Sequence, residues 1–122
     1  MIRLALFVGI GGFLGSISRF FIYQFFIKIF PSITPLGTLV VNILGSFLLG
    51  ILLHTTAKMD RDMHLLLTSG FCGGFTTFSA FSLENVGFLS EGFNSSSLIY
   101  TSLSLFLGIG AGFIGWYFGK IL

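Results

Sequence analysis

The feature that most constrains this chain is the near absence of charge over stretches long enough to cross a bilayer. Residues 36–53 and 98–119 contain no Asp, Glu, Lys or Arg; residues 65–88 contain only Glu84, and residues 4–27 only Arg19. Crossing a hydrocarbon layer takes about 20 predominantly apolar residues, so these four segments read as spans. Joining them are a Pro31/Pro35 turn, a polar loop around "KMDRDMH" and a short "SEGFNSSS" loop, all too short to fold separately. The expectation is an all-α membrane protein with one four-span domain over residues 1–122 and no internal repeat.

Composition supports that class. Only 8% of the residues are charged and 54% are hydrophobic, whereas a soluble domain carries about 25% charged residues. The net charge of +2, with no basic run, argues against nucleic acid as a partner and leaves membrane lipid as the surroundings. Cys72 is the sole cysteine, which excludes an intrachain disulfide and any CxxC-type metal site; it reads as a small apolar residue. "GIGGFLG" and "GIGAGFIG" miss the GxGxxG spacing and follow no strand, so a dinucleotide site is rejected. Met1 to Phe13 resembles the start of a secretory signal, yet no small-x-small cleavage site follows and the apolar pattern runs past Arg19. The expectation is a retained first span. Arg3, Lys58, Arg61 and Lys120 outnumber Lys28 and Arg19 on the opposite side, a small excess that by the positive-inside rule leans towards both termini in the cytoplasm.

Small residues recur at four-residue steps, at Gly11 and Gly15, Gly70 and Gly74, Gly108 and Gly112, and Gly115 and Gly119. In lipid, helices associate through close packing that such faces permit, and packing within one bundle accounts for most of these glycines. Polar groups at membrane depth carry more information, because they are expensive and face a bundle interior or a water-filled path. Asn42 shares one helical face with Thr38, Ser46 and Gly50. Two roles are open to its carboxamide: a tie between helices, or a pore-lining group that replaces part of an anion's hydration. Tyr100 and Ser104 place two hydroxyls on one face of the last span, and Gly108 continues that stripe without a side chain.

The stretch "GFCGGFTTFSAFS", residues 70–82, is the most specific. Gly73-Gly74 before Thr76-Thr77 makes a poor continuous helix, since glycine is permissive and β-branched residues are stiff. The third span should therefore break. A break frees carbonyls, which at that depth survive only when buried in protein or lining a cavity, and such carbonyls coordinate sodium in broken-helix transporters. Phe75, Phe78 and Phe81 recur every three residues. They serve either as a packing face or as a set of ring edges, the positive rim of the aromatic quadrupole, turned towards a small anion.

In order along the first three spans come "GGFLGSISR", "PLGTLVVNILGSFLLG" and "GFCGGFTTFSAF". Together they resemble the Fluc-type (CrcB family) fluoride channels of bacteria, and the resemblance covers almost the whole chain. It implies an antiparallel, dual-topology homodimer in the bacterial inner membrane, with two fluoride pathways and a structural sodium ion on the two-fold axis. Sodium would be held by the backbone carbonyls of Gly73 and Thr76 from both subunits. The fluoride pathway would comprise Asn42, the ring edges of Phe78 and Phe81, and the hydroxyl-bearing Tyr100, Ser104, Thr38, Thr77 and Ser79. Arg19 would make the approach electropositive. The expected activity is passive export that gives fluoride resistance, with no catalytic chemistry.

Physical reasoning is consistent with that expectation. Fluoride is small and strongly hydrated, so uncompensated entry into lipid would cost on the order of tens of kcal/mol. Uncharged donors can share the burden without holding the ion so tightly that it cannot leave. His54 and His64 flank the second loop and read as solvated loop residues. Glu84, the sole acid within a span, reads as a hydrogen-bonding or mouth residue. It also supports the rival reading, a small four-span proton-coupled drug exporter in which Glu84 exchanges protons.

Overall fold

The computed structural model describes residues 1–32 and 35–122. The interior of the expected Pro31/Pro35 turn lies outside the described residues; Pro31, Ser32 and Pro35 adopt turn geometry at its edges. The elements in chain order are α1 (Ile2–Ile29), α2 (Leu36–Thr55), α3 (Arg61–Leu65), a π-helical segment (Leu66–Cys72), α4 (Gly73–Phe75), α5 (Phe78–Ser90) and α6 (Asn94–Ile121). Among the described residues no strand occurs.

Three helices, α1, α2 and α6, are each long and apolar enough to cross a membrane. They run without internal proline, and both prolines, Pro31 and Pro35, lie between α1 and α2. The third expected span, 65–88, is not one helix. It is assembled from α3, the π segment, α4 and α5, with extended backbone at Thr76 (φ −87°, ψ 159°) and Thr77 (φ −152°, ψ 122°). The interruption expected near the glycines thus falls one turn later. Gly73 itself is helical at φ −62°, ψ −37°, and the two stiff threonines make the break.

Helix lengths differ from the sequence expectation at two places. α6 begins at Asn94, so the "SEGFNSSS" loop shrinks to Glu91, Gly92 and Phe93. Gly92 turns the chain there at φ +81°, a conformation that costs glycine little. Arg61 already opens α3, which shortens the second loop.

Close approach of backbones holds the elements in two layers. α1 lies against the π segment and α4, while α6 lies along α2. A Cβ on Gly11 would meet the Gly70 Cα at 2.9 Å, and one on Gly74 would meet the Gly12 Cα at 3.0 Å. The first two expected small-residue faces therefore pack on each other. Gly115 and Gly119 do the same against Phe47 and Ile51 of α2. Gly108 differs, for nothing lies within 4 Å of its missing Cβ.

Polar contacts tie the two chain ends and the second loop to one end of the bundle. Arg3 forms an ion pair with Asp62, a buried acid that would be costly without a partner. His54 meets Trp116 edge-on at 5.4 Å, and the Lys120 ammonium sits over the same indole at 5.4 Å. His64 bonds Thr56 through Nδ1 at 2.7 Å. Neither histidine is the solvated loop residue expected from sequence. Both are half-buried at helix ends, because the loop is shorter than its polar run suggests.

Candidate functional site

Asn42 and the break define the site. The Thr77 N–H donates to Asn42 Oδ1 at 2.8 Å, and Asn42 Nδ2 donates back to the Thr77 carbonyl at 3.0 Å. One carboxamide thereby satisfies both the N–H and the C=O of Thr77, at a depth where each unpaired group costs several kcal/mol. Thr77 also caps α5, its hydroxyl oxygen accepting from the Ala80 N–H at 3.2 Å. A third contact joins the Thr77 and Ser79 hydroxyls at 3.1 Å.

These bonds divert two amides from their helical partners. In a continuous helix Thr77 N–H would reach the Gly73 carbonyl and Ala80 N–H the Thr76 carbonyl. The first goes to Asn42 and the second to the Thr77 hydroxyl. Gly73 is exposed on the surface of the single chain, with nothing near its missing Cβ. The carbonyls of Gly73 and Thr76, which the family resemblance assigns to a cation, are among the four, residues 73–76, that lose their helical donor at the break, and oxygen is the ligand a hard cation takes.

A groove of about 670 Å³ runs beside the break, lined among others by Asn42, Gly73, Thr76, Thr77, Phe78, Phe81 and Ser104. Phe78 is 78% exposed, whereas Phe81 is half-buried, and their ring centroids lie 5.6 Å apart. Ser104 projects a buried hydroxyl with no hydrogen-bond partner. A buried orphan donor is uncommon in a folded chain, and its place on the groove wall marks it as a group available to a ligand. His64 and Ser46 line the same groove.

Tyr100 and Thr38 are placed differently. Tyr100 is buried, its ring 5.2 Å from Phe81 and 6.1 Å from Phe88, and its hydroxyl donates to Glu84 Oε2 at 3.4 Å. Thr38 faces a separate cavity of about 190 Å³ with Tyr23 and Glu84. Its hydroxyl donates to Glu84 Oε1 and accepts from the Tyr23 hydroxyl at 2.9 Å. Arg19 lies on α1, away from both cavities, and among the described residues it makes no hydrogen bond or ion pair.

Glu84 therefore sits in a hydroxyl cage, with a donor for each oxygen. Its cavity is smaller than the ~300–1,000 Å³ typical of ligand pockets. Among the described residues that arrangement offers no chamber for a drug-sized cation beside the carboxylate. Two residues of the cage and its surroundings had no sequence signal that singled them out. Tyr23 is one of many aromatics in the first span. Asn85 is a lone carboxamide one turn beyond Phe81, and its place among apolar neighbours was the only hint.

Comparison with known proteins shows the family. Residues 6–116 match the family described as CrcB-like protein, Camphor Resistance (CrcB). The chain is 46% identical over 117 residues to the fluoride-specific ion channel FluC of Gloeothece citriformis, covering 94% of this chain and 95% of that one. It is 40% identical to the protein of the same name from Azobacteroides pseudotrichonymphae, with 95% of each covered. The corresponding protein of Campylobacter fetus is 39% identical over 119 residues, covering 95% of this chain and 93% of the relative. The break, the carboxamide clamp and the phenylalanine pair occur in a chain whose relatives match it from end to end: it belongs to the CrcB family, a membrane channel family and not a family of enzymes.

Proposed function

We propose that this chain conducts fluoride passively across the bacterial cell membrane, as an antiparallel dual-topology homodimer with two pathways, and so confers fluoride resistance. The observation that carries this reading is the groove beside the break. Its wall combines the Phe78 and Phe81 rings, the Asn42–Thr77 clamp and the unpartnered Ser104 hydroxyl, and its relatives bear the name fluoride-specific ion channel. None of the lining groups named here is charged, which suits an ion that must be stripped of water and then released.

The broken assembly from Arg61 to Ser90 is the third of four membrane crossings in this reading. Its irregular backbone is tolerable because Asn42 pairs it and because it faces a second subunit. Tyr100 lends its ring to the phenylalanine pair, Thr38 and Ser79 belong to the pathway with it, and Arg19 makes the approach electropositive.

The Gly73 and Thr76 carbonyls, relieved of their helical donors, fit a structural sodium ion at the two-fold axis. One chain supplies two such oxygens and a second copy the others. Bound there, sodium would supply charge that offsets converging carbonyl dipoles and fix the two breaks together.

Purified protein reconstituted in vesicles loaded with potassium fluoride tests the function. With valinomycin present, a fluoride electrode should record rapid efflux, and chloride-loaded vesicles should retain their anion. Fluoride retention equal to that of protein-free vesicles would reject the reading.

A further inference from the structure

α5 carries both pathway phenylalanines, yet none of its residues is buried. Within the chain its Phe81 and Phe88 rings rest on Tyr100, at 5.2 and 6.1 Å, and polar contacts fix its position further. The break end is held by Thr77 and Asn42. Further along, one side chain dominates. Asn85 Nδ2 donates to the Phe81 carbonyl at 3.0 Å, and Asn85 Oδ1 accepts from the Ser97 hydroxyl at 2.7 Å and from the Thr101 hydroxyl at 3.2 Å.

Both hydroxyl donors belong to α6 and bracket Tyr100, the residue whose ring lies against Phe81. Serine and threonine hydroxyls in membrane helices commonly bond the carbonyl one turn back. Ser97 and Thr101 instead cross to α5. Side-chain hydrogen bonds across helices are a main means of fixing helix position in lipid, where hydrophobic association is weak.

We infer that Asn85 is a positioning residue for fluoride passage: through Ser97 and Thr101 it sets the register of α5 on α6, and through the Phe81 carbonyl it fixes the Phe81 ring against Tyr100. Nothing in this role requires Asn85 to touch the ion. The inference rests on the fluoride reading for its functional half, whereas the latch itself stands on geometry alone.

Two measurements separate these halves. Flux in vesicles is read as a function of fluoride concentration for the unaltered protein, Asn85→Val, the pair Ser97→Ala/Thr101→Val, and all three changes together. Asn85→Val should lower flux about tenfold and raise the half-saturating fluoride concentration, with dimer elution unchanged. The Ser97/Thr101 pair should show the same defect, and the triple variant should be no worse, since groups acting through one another are not additive. Hydrogen exchange of the same proteins in nanodiscs should show faster exchange of α5 amides around Gly87 and Phe88 in every variant, with α2 unaffected.

Wild-type half-saturation in Asn85→Val, or defects that simply multiply, overturns the positioning role. Unchanged α5 exchange overturns the latch. An unaltered protein that conducts no fluoride counts against the fluoride reading, and exchange then still decides the latch. Should Asn85→Val fail to fold, Thr101→Val alone removes the longer bond and must show a smaller shift of the same kind.

Discussion

Asn42 and Thr77 exchange two hydrogen bonds, of 2.8 and 3.0 Å, so that a side chain on α2 serves the broken third segment as a strand partner would. The clamp frees the Gly73 carbonyl, aims α5, and presents its own polar edge to the groove.

Asn42→Ala removes both partners of Thr77 at once. Each backbone group left unsatisfied costs about 1–3 kcal/mol, so thermal unfolding in detergent should shift clearly downward, and fluoride flux should fall more than tenfold. A stable, fully conducting Asn42→Ala protein would show that the break is held elsewhere.

Phe78→Ile separates function from folding. The ring is 78% exposed in the single chain, so chain stability should change by no more than about 0.5 kcal/mol. Flux should nevertheless slow, because isoleucine has no positive rim. Phe81→Ile should slow flux too and also lose the Tyr100 contact at 5.2 Å. Near-normal flux in both variants would argue against ring-edge contact with the ion.

Exchange of sodium for N-methylglucamine during purification should weaken the dimer, read by light scattering, and abolish flux. The expected cause is exposure of the Gly73 and Thr76 carbonyls to one another without a cation between them. A sodium-free dimer with full activity would remove the central ion from the account.

Gly115→Ala should destabilise the α2–α6 pair by about 1–3 kcal/mol, since its new Cβ would lie 2.9 Å from the Phe47 carbonyl carbon. Gly9→Ala, with nothing within 4 Å, should be neutral or slightly stabilising. Equal unfolding curves for the two variants would mean that close backbone approach does not hold these helices.

The broken segment was legible in the sequence because its cause is local: β-branched Thr76 and Thr77 after two glycines oppose helix in any context. The close helix faces at Gly11/Gly15 and Gly70/Gly74 were legible for a similar reason, since small residues at four-residue steps leave only one useful surface. The place of Thr38 was not. Spacing put it on the face of Asn42, but periodicity fixes a residue's own helix and not the neighbour lying across it. α5, redirected by the break, brings Glu84 to Thr38 and leaves Asn42 with Thr77. The Asn85 latch was hidden likewise, because its partners Ser97 and Thr101 belong to the next helix and share no pattern with it. The π-helical segment at Leu66–Cys72 has no composition signature either; Gly70 within it and Gly74 just after it lie close against α1.

The central claim is that fluoride crosses passively along uncharged donors beside the broken helix. Its most direct test is the reversal potential of the current through a planar bilayer holding the purified protein, with a tenfold fluoride gradient, symmetric chloride and equal pH. The account predicts reversal near the fluoride equilibrium potential, about 59 mV for a singly charged ion, unmoved by a later pH gradient. Reversal at zero, reversal that follows the pH gradient, or no current above that of bare lipid would contradict it.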